Sequence, residues 1–157
     1  MSAKPLRLIT LPISHYCEKV RWALDRQGIA YREEAHAPIF HGLYTLPLTG
    51  GKSRTVPILV DENVTPRRVL TDSTDCLRYL AEHFGASWLY APPEAAALED
   101  EMDRKLGPST RRFAYFHLLP DPRTVEVLTE HTPSWEAALT RPLFPLIRLA
   151  MRRGMRI

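Results

Sequence analysis

The run Leu6-Arg7-Leu8-Ile9-Thr10-Leu11-Pro12-Ile13-Ser14-His15-Tyr16-Cys17-Glu18-Lys19-Val20-Arg21 decides how the rest of the chain reads. Its first six residues are rich in leucine and β-branched side chains and stop at Pro12, the pattern of a short buried strand. Beyond it, Cys17, Val20, Ala23 and Leu24 recur at helical spacing, with Glu18, Arg21 and Asp25 on the opposite side, and Gly28 supplies the residue type that caps a helix C-terminus. Residues 29–35 return to a strand pattern. Strand, helix and strand joined by short loops predict a right-handed βαβ unit with parallel strands.

Working outward, residues 36–54 contain Pro38, Pro47, Gly50 and Gly51 and read as a long surface loop holding at most a short helix. Val56-Pro57-Ile58-Leu59-Val60 is a buried strand introduced by proline, Asp61-Glu62-Asn63 a turn, and Arg68-Val69-Leu70-Thr71 the returning hairpin strand. Asp72-Ser73-Thr74-Asp75 has the acceptor side chains of a helix N-terminus, and the helix runs through Cys76, Leu77, Leu80 and Phe84 to Gly85. Residues 1–87 therefore form a complete α/β domain. From Pro92 onward strand signals cease, and residues 88–157 read as a partial all-helical domain. Helices are expected over 94–106, over 109–119 with Phe113, Phe116 and Leu119 on one side, around 125–130, and from Thr140-Arg141-Pro142 to the end. Gly107-Pro108 is expected to break the first two apart.

Composition narrows the function. Of 157 residues, 45% are hydrophobic and 25% charged, which excludes a disordered or low-complexity chain. No stretch has the length of a membrane span, Met1 to Ile9 lacks an apolar signal core, and two cysteines are too few for a disulfide framework, so a cytoplasmic protein without membrane partners is expected. The net charge of +3 gathers in the last segment, where residues 132–157 carry five arginines against one glutamate. Arg141, Arg148, Arg152 and Arg156 fall at helical spacing beside Leu143, Phe144, Leu146, Ile147 and Ala150, which reads as the wet stripe of an amphipathic helix rather than a nucleic-acid surface. His36 and His41 lack the companion ligands of a metal centre, and Gly50-Gly51-Lys52-Ser53 lacks the strand and first glycine of a phosphate loop, so neither metal nor nucleotide is expected.

Three segments in order carry a family likeness: Ser14 to Arg21, Thr55-Val56-Pro57-Ile58-Leu59, and Asp72-Ser73 followed by Leu77, Tyr79 and Leu80. Together they resemble the thioredoxin-like N-terminal domain of glutathione transferases, and the segment after Gly85 resembles the start of that family's helical domain. The resemblance implies glutathione as substrate, a small electrophilic acceptor, and a homodimer. It also implies roles for single residues. Ser14, at a helix N-terminus, would hydrogen-bond the glutathione thiolate, while the same residue also fits a simple N-cap. Val56, before a proline expected to be cis, would pair its backbone with the cysteinyl part of glutathione. Asp72 and Ser73 would hold the γ-glutamyl ammonium and carboxylate, and Lys52 or Arg54 the glycyl carboxylate. His15 would face the pocket mouth or stay an exposed loop histidine. Cys17 stands where a Cys-x-x-Cys motif would have its second cysteine, which leaves a thiol-transfer role beside the simpler one of a buried hydrophobe; Cys76 reads as core.

Family members usually continue beyond the point where this chain stops. The expected consequence is an intact glutathione half-site, an incomplete acceptor half-site, and uncovered apolar faces at Leu143, Ile147 and Ala150. A non-catalytic glutathione-transferase-like interaction module is therefore the alternative to a transferase.

Overall fold

A computed structural model describes residues 3–157. Strand β1 (Leu6–Thr10) leads into helix α1 (His15–Gln27) and returns as β2 (Tyr31–Ala35), which pairs parallel to β1 in a register that sets Leu6 beside Tyr31 and Thr10 beside Ala35. Strands β3 (Ile58–Asp61) and β4 (Arg68–Leu70) form the antiparallel hairpin, and β3 also runs antiparallel to β1. The sheet order is β2-β1-β3-β4. Successive side chains alternate faces along a strand, so each face of the sheet receives its own apolar set. Leu6, Leu8 and Leu59 join Val20, Ala23 and Leu24 of α1 and Cys76, Leu77 and Leu80 of α3 (Ser73–His83). Ile9, Ile58 and Val60 pack on the other face with Val56 and with Leu48 of α2 (His41–Leu48), the short helix within the 36–54 loop. This is the thioredoxin-like arrangement of a mixed sheet between helical layers.

Both predicted helix caps are present. Gly28 closes α1 at φ 70°, a left-handed conformation that costs a residue without a Cβ little. At the start of α3, the Asp72 carboxylate accepts from the Thr74 N–H at 2.8 Å.

The helical region departs from the sequence reading at three places. Gly107-Pro108 does not break the chain: α4 (Ala95–Glu101) passes through a π-helical stretch (Met102–Leu106) directly into α5 (Gly107–Leu118). The wider π turn accommodates the bond that Pro108 cannot donate, and Pro108 falls in the first turn of α5, where proline is tolerated. On α5 the buried side is Tyr115, with Leu119 just beyond the helix, whereas Phe113 and Phe116 face outward, 70% and 58% exposed. The last helix, α7 (Ser134–Met155), opens after Pro133 and carries Pro142 and Pro145 inside it. Both prolines are on its exposed side, as are Ala138 and Arg141, whose carbonyls lose their usual helical donors and can be hydrated instead.

A smaller core holds this region together. Tyr115 and Leu119 meet Leu128 of α6 (Thr124–Leu128) and Phe144 of α7, and Ile13 from the β1–α1 loop packs against them. Ile147, expected to be uncovered, is buried at 2% exposure, while Leu143 and Ala150 remain exposed. Arg141, Arg152 and Arg156 are exposed and Arg148 half-buried, the wet stripe that the spacing predicts. No helix among the described residues is long and apolar enough to cross a membrane.

Two polar clusters tie the helices to the sheet unit. Lys19 of α1 reaches Glu99 and Asp103, each at 2.6 Å, and the Thr74 hydroxyl donates toward the same two carboxylates. Burial works against the Lys19 ammonium, but its bonds to Asp103 and Glu99 outweigh it and raise its pKa. In the second cluster, the fully buried Glu136 of α7 accepts from His36 Nδ1 at 2.8 Å and from the Ala37 N–H at 2.7 Å.

Candidate functional site

The site begins at two helix N-termini. The chain leaves β1 through Leu11-Pro12-Ile13 and turns at Ser14, whose extended backbone and side-chain oxygen cap α1 by accepting from the Cys17 N–H at 3.4 Å. Helix α3 starts at Asp72 after the short strand β4. The strand order places both starts at the same end of the sheet, with the segment before β3 between them. That segment contains a cis peptide bond at Val56-Pro57, as the resemblance implies. A second cis bond, at Thr65-Pro66 in the β3–β4 turn, has no counterpart in the sequence reading. Among the described residues, no backbone hydrogen bond outside the helices and strands involves Val56, so its N–H and C=O are available to an extended ligand.

Two adjoining cavities occupy the space between these elements. The first, about 240 Å³, lies between Thr55, Val56 and Pro57 on one side and Thr71, Asp72 and Ser73 on the other. The second, about 210 Å³, is bounded by Ile13, Ser14 and His15 and by Arg54 and His41 across from them. Tyr16, Thr55, Val56 and Arg111 line both, so the pair is one cleft with two lobes. The positive ends of α1 and α3 both border it, an arrangement suited to anionic groups.

Residues 8–88, just over half of the chain, match the family described as Glutathione S-transferase, N-terminal domain. The chain belongs to the glutathione transferase family. Among curated proteins no match is found.

Within this glutathione transferase fold, the residues singled out from the sequence do not all come together. Ser14, His15, Arg54 and Val56 line the second lobe, and Val56, Pro57, Asp72 and Ser73 the first. Ser73 is buried at 4% exposure, whereas Asp72 is exposed at the cleft edge. Lys52 is exposed and lines neither lobe. Cys17 also lines neither: it is fully buried in the core, and burial pushes its thiol upward in pKa, the reverse of what a thiolate nucleophile needs. Cys76 is buried likewise and its thiol is pushed up by the same cause. His15 lies against Tyr16, ring centroids 4.1 Å apart, and its pKa is lowered by burial and by the neighbouring Arg111. A neutral imidazole therefore sits at the edge of the second lobe at physiological pH.

Sequence reasoning missed four contributors. Tyr16 stood inside the first motif without an assigned role; it lines both lobes and its hydroxyl donates to the Asp103 carbonyl at 3.3 Å. Burial, then Asp103, raises its pKa, so it remains a neutral phenol. Asp103, Arg111 and Tyr115 come from the α4–α5 helix, which forms one wall of the cleft. Of the adjacent pair Arg111-Arg112, Arg112 turns away to donate to the Met155 carbonyl at 3.2 Å while Arg111 borders the cleft. Nothing local in the sequence separates the two. The distinction depends on how α5 docks against α1. Among the described residues, no group of three or more His, Cys, Asp or Glu side chains is gathered as a metal site would require.

Proposed function

We propose that this chain binds glutathione in the two-lobed cleft and transfers it to a small electrophile, with Ser14 stabilising the thiolate. The observation that carries this reading is convergence: Ser14, Val56-Pro57 and Asp72-Ser73, far apart in sequence, border one cleft whose lobes share Tyr16, Thr55, Val56 and Arg111. In this account the γ-glutamyl carboxylate meets the α3 N-terminus at Ser73, and the γ-glutamyl ammonium meets Asp72. The cysteinyl backbone pairs with Val56, and the glycyl carboxylate meets Arg54. Lys52, outside both lobes, drops out of that last role.

The chemistry asked of Ser14 is modest. A thiol is mostly protonated at neutral pH, and a hydroxyl donor beside a helix N-terminus favours its ionised form. The thiolate attacks the electrophilic carbon, a carbon–sulfur bond forms as the leaving group departs with its electron pair, and the thiol proton passes to solvent. Ile13 and Tyr115 supply apolar walls for the acceptor in the second lobe. The reading includes a cytoplasmic homodimer; an exposed row on the α4–α5 helix, Leu98, Met102 and Leu106 with Phe113 and Phe116 beyond, supports the dimer.

Titration calorimetry with glutathione tests this reading. Binding by the wild type, accompanied by turnover of an electrophile that falls at least tenfold in Ser14→Ala, is the expected result. A folded protein that binds no glutathione, or turnover that Ser14→Ala leaves unchanged, rejects the transferase and leaves the non-catalytic module.

A further inference from the structure

The second lobe has an unusual charge balance. Its lining contains the guanidinium groups of Arg54 and Arg111 and no carboxylate. The acidic groups that border the cleft, Asp72 and Asp103, line the first lobe, and Asp103 is already paired with Lys19 at 2.6 Å. Arg111 itself has no such partner: among the described residues, no carboxylate lies within ion-pair distance of it. It is exposed on α5, borders both lobes, and contributes a positive field felt by His15, Tyr16 and Tyr115. Glutathione brings two carboxylates, and the α3 N-terminus and Arg54 account for both. Arg111 is the cation left over.

We infer that Arg111 selects acceptors that carry an anionic group, a carboxylate or sulfonate on the electrophile, and holds that group at the mouth of the second lobe. This rests on the transferase reading above and adds the substrate class to it. A planar guanidinium matches a carboxylate or sulfonate in a bidentate fork, and its position beside Tyr115 and His15 leaves the apolar body of such an acceptor against Ile13 and Tyr115. Arg54 is engaged by the glycyl carboxylate in that reading, and Lys19, behind the first lobe, is neutralised by Glu99 and Asp103, so neither substitutes.

The experiment uses two conjugates that carry both halves of the product, S-benzylglutathione and S-(4-carboxybenzyl)glutathione, with glutathione itself as a third ligand. Their dissociation constants are measured by calorimetry on wild type, Arg111→Met and Arg111→Lys. The expected result is about tenfold tighter binding of the carboxybenzyl conjugate by the wild type, corresponding to roughly 1.4 kcal/mol. That preference disappears in Arg111→Met and survives in part in Arg111→Lys, while glutathione binding is the same in all three. Equal binding of the two conjugates by the wild type overturns the inference and leaves the transferase reading standing. Weakened binding of glutathione alone in Arg111→Met also overturns it, because Arg111 would then serve the tripeptide. Failure of all three ligands to bind overturns both readings together. Since Arg111 is exposed and unpaired, its variants are expected to unfold at the wild-type denaturant midpoint.

Discussion

The Tyr16 hydroxyl occupies the space where a side chain on residue 107 would begin: a Cβ built on Gly107 would stand 2.3 Å from the Tyr16 oxygen and 3.0 Å from Cζ. Glycine at this position lets the α4–α5 helix approach α1 closely enough for Tyr16 to donate to the Asp103 carbonyl and line both lobes of the cleft. The α4–α5 helix comes this close to α1 because residue 107 has no side chain.

Gly107→Ala sets two effects against each other. Removing a glycine from a helix gains about 1 kcal/mol, while forcing a methyl group into the Tyr16 contact costs about 1–3 kcal/mol. The steric cost is expected to win, lowering stability by up to about 2 kcal/mol. Adding Tyr16→Phe removes the closest atom and should recover most of the loss. Urea unfolding of the two variants checks this, and a Gly107→Ala protein more stable than wild type would show that Tyr16 is not held where described.

Glu136 and His36 predict a larger effect where α7 meets the 36–37 loop. Both side chains are buried, and the carboxylate accepts from the imidazole and from the Ala37 N–H. In Glu136→Ala both donors would be left without an acceptor in a dry environment, a loss of about 3–5 kcal/mol. Glu136→Gln keeps an acceptor oxygen and should lose less. A denaturation midpoint in Glu136→Ala close to wild type would contradict the pinning of α7 to the 36–37 loop.

The pH dependence of stability should have an alkaline limb. Burial and the 2.8 Å bond to Asp61 push the Tyr79 phenol up to about 12 from its ordinary 10. Because the folded state holds this proton more tightly than the unfolded chain, the stabilisation is complete below pH 10 and is lost as the pH rises through 12. Burial and a carboxylate partner also raise Tyr31 and Tyr90, so ultraviolet titration should show several phenols ionising only together with loss of structure, and Tyr79→Phe should remove one of them and weaken the alkaline limb. Independent, reversible ionisation of every tyrosine in the folded protein would contradict it.

The legible part of the molecule is the part governed by local rules. The sheet unit could be read from the sequence because alternation, capping residues and the Val-Pro strand entry all act within a few residues of one another, as at Ser14, Gly28 and Asp72. Ser14, Val56 and Asp72, which line the cleft, are legible as candidates because short motifs carry them. Arg111 and Tyr16 were not assigned because their roles come from the docking of α5 on α1, which depends on Gly107 and no local pattern. The extent of α7 was misread for a related reason. Proline at 142 looks like a helix start, whereas the helix begins at Ser134, where Glu136 in its first turn is buried against His36 and the Ala37 N–H.

If Ser14 stabilises the thiolate of glutathione bound in this cleft, the pKa of that thiol on the protein, followed by the ultraviolet absorbance of the thiolate, reports it. The wild type should hold the bound thiol well below its value in free solution, and Ser14→Ala should return it most of the way while glutathione still binds. A bound thiol that titrates as it does in free solution, or one equally depressed in Ser14→Ala, would exclude that role for Ser14.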